Sequence, residues 1–166
     1  MNTRKISAQR WSIVSRRPFQ SVLSAIEALT GHPNMQGFAQ ATTAAANLAE
    51  LERVVTAAVG ESGMMEFARY DLGAVLTRST GAPAPKSLRL VLGNPLIMQA
   101  MVRHVPDAGS YAPITVLIDE RPGGVYLSYD EMAAFLSVYE NEEALKVARD
   151  LDEKVRNLLL RAAGSD

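Results

Sequence analysis

From Ile114 to Tyr129, apolar and polar side chains alternate on both sides of the tetrapeptide Arg121-Pro122-Gly123-Gly124. Successive strand residues point to opposite faces, so each arm has one apolar side. These sides are Ile114, Val116 and Ile118 on the first arm, and Val125, Leu127 and Tyr129 on the second. Pro at the second turn position with Gly after it suits a type II turn, so a hairpin is expected. Leu88, Leu90 and Leu92 repeat the alternation upstream and stop at Gly93-Asn94-Pro95. Three such strands need a cover for their apolar side, and the rest of the chain must provide it.

Trp11 to Ser15 alternates as a first strand, with Trp11, Ile13 and Ser15 on one side. Pro18 suits the first turn of a helix, where its missing N–H costs nothing. Phe19, Val22, Leu23, Ile26 and Leu29 form the apolar stripe of that helix, and Gly31 stops it. Residues 32–43 read as a connector in which Asn34 caps a short helical piece carrying Met35 and Phe38. Leu48, Leu51, Val54, Val55 and Val59 make a second helical stripe, ended by Gly60. Met64 to Tyr70 reads as a strand, and a turn at Asp71 to Gly73 returns Ala74 to Thr77 as another. Pro83 and Pro85 then force a loop.

Pro95 opens a short Met-rich helix reaching Arg103. Ser128 followed by Glu131 matches a capping box, placing a helix start near Tyr129. Asn141 opens the last helix, whose Leu145, Ala148, Leu151, Val155, Leu158 and Leu159 share one face. The order is strand, helices, strands, helix. It predicts an α+β fold: a mostly antiparallel sheet of about five strands with helices packed on one face. Residues 10–163 are expected to form a single domain, with an insertion at 30–45, after an exposed basic tail over 1–9.

A sheet covered on one side should be polar on the other, and this one is mixed. Val91, Leu117 and Tyr126 alternate there with Arg89, Thr115 and Asp119. Burying a large apolar side chain is worth about 1.5–3 kcal/mol, so leaving several in water is unfavourable. A second copy of the chain would cover them, which makes a homodimer the expected partner and Val91, Leu117 and Tyr126 its face. The second helix or the 32–43 connector is the alternative cover.

The chain has 166 residues, 48% of them hydrophobic, which suffices for one domain with its own core. It has no cysteine, which removes disulfides, thiolate metal sites and a thiol nucleophile and fits a cytoplasmic location. A net charge of −1 argues against a nucleic-acid partner. No apolar run approaches the roughly 20 residues that span a bilayer, so no membrane partner is expected. Arg4, Lys5, Arg10, Arg16 and Arg17 precede any acidic residue, a pattern shared by exposed tails and transit segments.

The runs LVLGNPLIMQAM and APITVLIDERPGGVYLSYDEM, preceded by GMMEFARYD with Gly63, Phe67, Ala68, Arg69 and Asp71, resemble the family known as domain of unknown function 302. The resemblance spans roughly Trp11 to Ala162. It implies a TATA-box-binding-protein-like arrangement of strand, helix, further strands and helix, and a homodimer. It carries over no catalytic residues. The 30–45 insertion and a longer helical end after Tyr129 depart from the family's pattern.

Candidate chemistry is sparse. Met98, Met101 and His104 lie three apart and include haem-ligand types, but there is no CxxCH, and Met at this spacing suits core filling. No cofactor is expected. His104, Asp107 and Tyr111, with Ser110, could transfer protons, though loops also collect such residues for turns. Asn94 could present its amide to a ligand or simply cap the helix behind it. Arg69 could pair with Asp71 or bind an anion. Asp150, Asp152 and Glu153 lack the oxygen-rich loop of a calcium site and read as a solvated face, so no metal is expected.

The favoured reading is a homodimeric small-molecule-binding or interaction module without catalysis. Its cavity would lie between the sheet and the last helix. The ligand would be apolar or amphipathic and would touch Asn94, Met98, Met101 and Tyr129. The alternative is an enzyme using acid/base residues of the His104 to Tyr111 loop.

Overall fold

The computed structural model describes residues 3–164. Five strands form one antiparallel sheet in the order β1-β5-β4-β3-β2: β1 (Arg10–Ser15), β2 (Met65–Asp71), β3 (Ser87–Gly93), β4 (Ile114–Arg121) and β5 (Gly124–Asp130). Between β1 and β2 run α1 (Phe19–Leu29), α2 (Met35–Ala44) and α3 (Leu48–Ala58). α4 (Leu72–Thr80) joins β2 to β3, and α5 (Pro95–Val102) follows β3. α6 (Met132–Leu136) and α7 (Glu142–Ala163) follow β5. The α+β reading therefore holds, with helices packed against the sheet.

The alternation of the strands decides which face is covered. Leu90, Leu92, Val116, Ile118 and Leu127 are fully buried in one cluster with Val22 and Ile26 of α1, Met101 of α5, and Val155 and Leu159 of α7. The turn of the β4–β5 hairpin places Gly123 at φ 103°, the positive value a type II turn needs at its third position. Gly124 also has positive φ, and a Cβ there would stand 2.4 Å from the Ser15 carbonyl of β1.

α1 and α3 end against each other. The N–H groups of Gly31 and Gly60 both donate to the Met64 carbonyl, at 2.8 and 2.9 Å. Glycine thus does more at these two sites than stop a helix: it lets two backbones touch. α2 packs on α3, and α3 reaches α5, so this hairpin joins the helical layer. Of the α3 stripe only Val55 is fully buried, and Leu48 is 58% exposed.

Two local expectations fail. Ala74 to Thr77 is not a strand but part of α4. The Asp71 carboxylate accepts from the Ala74 N–H at 2.8 Å, and Gly81 closes the helix at φ 68°. A cap at each end outweighs the β-branched residues between them. The capping box at Ser128 and Glu131 does not form either. β5 runs on to Asp130, Ser128 faces Ser12 of β1 with their hydroxyls 3.1 Å apart, and Glu131 makes no side-chain cap.

Residues 3–9 have no regular secondary structure and are mostly exposed, yet they are held at two points. The Arg4 guanidinium lies 4.4 Å from the Tyr139 ring centroid and 3.5 Å from the Asp107 carboxylate. The Glu131 N–H donates to the Gln9 carbonyl at 2.9 Å. No helix among the described residues is long and apolar enough to cross a membrane.

Candidate functional site

β3 ends at Gly93, and the Gly93-Asn94-Pro95 sequence turns the chain into α5. The Asn94 Oδ1 accepts from the Leu96 N–H and its Nδ2 donates to the Gly63 carbonyl, both at 2.9 Å. Asn94 thus caps α5 and ties it to the turn before β2, and both ends of its amide are engaged. β2 slips register between Glu66 and Ala68, and Phe67 at this irregularity faces the end of β3. A Cβ on Gly93 would stand 3.1 Å from Pro113 and 3.2 Å from the Phe67 ring. Gly93 is therefore the residue that lets both approach.

These elements enclose a cavity of about 260 Å³. Phe67, Ile97, Met98, Met101, Pro113 and Leu151 form most of its wall, with Asn94 the only polar side chain. No titratable side chain lines it. Met98, 36% exposed, stands at its edge, and Met101 lies fully buried. The arrangement presents an apolar surface that can hold apolar matter. It offers nothing to donate or remove a proton.

Of the expected ligand contacts, Asn94, Met98 and Met101 come together here, and Tyr129 lies apart. The Tyr129 ring is 2% exposed, with its centroid 5.4 Å from that of Trp11. Its hydroxyl donates to Asp152 of α7 at 2.6 Å. The same carboxylate accepts from the Met132 and Ala133 N–H groups at 2.8 and 2.9 Å, so it caps α6 from another helix. Asp152 is 6% exposed and does not belong to a solvated face. Its place in the sequence carried the signal: it stands four after Ala148 and three before Val155, on the apolar stripe. Burial holds the Asp152 carboxyl above its usual range, although its three donors pull the other way. Burial first, then the charge of Asp152, pushes the Tyr129 phenol up as well.

The loop candidates are not assembled. The Arg103 Nε donates to the His104 Nε2 at 3.0 Å, and Asp107 pairs with Arg4. The Tyr111 and Tyr139 hydroxyls are 3.2 Å apart, and the Tyr111 ring stacks on Phe135 with centroids 4.9 Å apart. The Tyr111 hydrogen bond is the main cause that lifts the Tyr139 phenol to about 12. Among the described residues no hydrogen bond joins His104 to Asp107 or Tyr111. Arg69 does not pair with Asp71, which is used as the α4 cap. It grips Glu66 with two nitrogens, at 2.9 and 2.8 Å, and Glu27 with a third at 2.7 Å. Among the described residues no group of three His, Cys, Asp or Glu side chains could hold a metal ion.

Val91, Leu117 and Tyr126 lie on the second face of the sheet, each half-buried in one chain. The strand register shows how they relate: Val14 faces Tyr126 across β1 and β5, and Ala68 faces Val91 across β2 and β3. Leu117 sits diagonally between Tyr126 and Val91. The result is a diagonal apolar stripe from Val14 to Ala68. Its neighbours Arg10 with Asp130, and Arg121 with Asp119, neutralise each other within the chain.

No curated protein matches the chain. A crystal structure described as an uncharacterised conserved protein DUF302 from Bacillus stearothermophilus superposes with a TM-score of 0.65 at 9% sequence identity. The likeness covers 92% of this chain and 97% of that one, and at such identity it shows the fold. The family described as "Domain of unknown function DUF302" matches residues 38–162, most of the sequence, and the chain belongs to that family.

Proposed function

We propose that the protein is a non-enzymatic, homodimeric binding module that takes an uncharged apolar small molecule, or the apolar end of an amphipathic one, beside α5. The observation that carries this reading is the wall of the cavity. It is apolar, no titratable side chain lines it, and its one polar side chain is already hydrogen-bonded at both ends. At about 260 Å³ it falls just below the roughly 300–1,000 Å³ of drug-sized sites, so the ligand is small or enters only in part.

Toluene is a direct probe, since dry apolar cavities of comparable size take up aromatic hydrocarbons. It is expected to raise the thermal midpoint of the protein, and Met98→Trp, which fills the edge of the cavity, should remove that rise. A rise of the same size in Met98→Trp would place the toluene elsewhere and refute the assignment.

The dimer is read from the diagonal stripe. An isologous pair lays one stripe across its copy; the flanking Arg10–Asp130 and Arg121–Asp119 pairs carry no net charge, and Arg89, opposite Leu117, leaves one cation on this face. Leu117→Arg puts a charge in the middle of the stripe and is expected to halve the mass measured by light scattering. We also read the strand order as TATA-box-binding-protein-like, without the nucleic-acid role of that name, and the location as cytoplasmic, in keeping with the absence of cysteine.

A further inference from the structure

β1, β2, β3 and β4 each carry one arginine: Arg10, Arg69, Arg89 and Arg121. Three of them are spoken for, by Asp130, by Glu66 with Glu27, and by Asp119. Arg89 has no hydrogen-bond or ion-pair partner among the described residues. It borders a second pocket, of about 210 Å³, at the end of the sheet where β4 begins. The hydroxyls of Ser110 and Thr115 also line this pocket, and neither makes a side-chain hydrogen bond among the described residues. Pro113 and Phe135 supply apolar walls.

We propose that this pocket binds a small monocarboxylate with a flat apolar body, its carboxylate held by Arg89 with the Ser110 and Thr115 hydroxyls. A guanidinium presents a planar fork that matches two carboxylate oxygens, and hydroxyls can donate to what the fork leaves free. The Pro113 and Phe135 walls suit a ring. Charge selects the carboxylate over phosphate. Asp130 lines the same pocket, and although Arg10 holds it, its presence disfavours a dianion beside a single free cation. The site shares Pro113 and Ile114 with the cavity beside α5, but that cavity holds neither a cation nor a free hydroxyl.

Benzoate is the probe, titrated by calorimetry into the full chain. Arg89→Gln is expected to weaken binding about ten-fold or more, the loss of one charge-assisted pair. Arg89→Lys should recover part of it, because the charge returns without the fork. Thr115→Val should weaken it less than Arg89→Gln does. Benzamide, which lacks the charge, should bind more weakly than benzoate by a similar factor, and Met98→Trp should leave benzoate binding unchanged. Equal affinity of the parent and Arg89→Gln proteins for benzoate would overturn the proposal, and so would inorganic phosphate competing as strongly as benzoate. If Arg89→Gln instead lowers the mass in light scattering and leaves benzoate affinity alone, Arg89 serves a carboxylate of a second copy, and the proposal fails.

Discussion

Asp152→Ala is expected to lower the unfolding free energy by about 3–5 kcal/mol, measured by urea denaturation. The change leaves the Tyr129 hydroxyl and two backbone N–H groups of α6 without their acceptor, in a place from which water is largely excluded. Each buried donor left unpaired costs about 1–3 kcal/mol, and α6 loses the side-chain cap that Asp152 provides. Tyr129→Phe removes one donor together with its need and should cost about 1 kcal/mol. Asp152→Asn keeps an acceptor oxygen and should fall between the two. Its pH dependence has a definite sign. The folded Asp152 carboxyl sits above its usual range, so the stability linked to its proton is complete below about pH 4 and is lost as pH rises through the folded value. Asn has no such proton. The deficit of Asp152→Asn relative to the parent should be largest near pH 4 and shrink toward pH 7. A deficit that grows over that window would mean that the three donors, and not burial, dominate this carboxyl.

Gly31→Ala is the second large effect. A Cβ at Gly31 would stand 1.9 Å from the Ala58 carbonyl oxygen, and the obstacle is backbone that no rotamer change can move. α1 and α3 must separate, and the shared hydrogen bonds to Met64 stretch with them. We expect a loss of about 3 kcal/mol and, for a chain of this length, a fall in thermal midpoint of about 10 °C. Gly37→Ala is the control, since its Cβ would meet only the Asn34 side chain at 3.5 Å within α2. It should be neutral or slightly stabilising, because alanine favours a helix. Gly31→Ala with parental stability would show that the two helix ends are not in contact.

The strands and long helices were legible because their patterns are periodic. Leu88, Leu90 and Leu92, Ile114, Val116 and Ile118, and the α7 stripe each repeat often enough to name a face. Where a short segment depends on one polar partner, periodicity fails. The four residues Ala74 to Thr77 read equally well as a strand, and the Asp71 cap, with Gly81 closing the far end, turns them into a helix. The start of α6 reads as a capping box until Asp152, more than twenty residues downstream of Ser128, takes the capping role. The cavity was half legible. Met98 and Met101 share a helix face and Asn94 precedes it, so local spacing grouped them. Phe67 and Leu151 come from other elements, and no local pattern joins them to α5. Tyr129 ends an apolar alternation on β5, and its hydroxyl is committed to Asp152 and not to the cavity.

We propose a sheet shielded on its second face by its own copy, with apolar matter held beside α5. Native mass spectrometry of protein purified from its own host tests both parts in one spectrum. Twice the chain mass is expected, with each subunit carrying an uncharged organic molecule that heating releases. A bare single chain at micromolar concentration would contradict it.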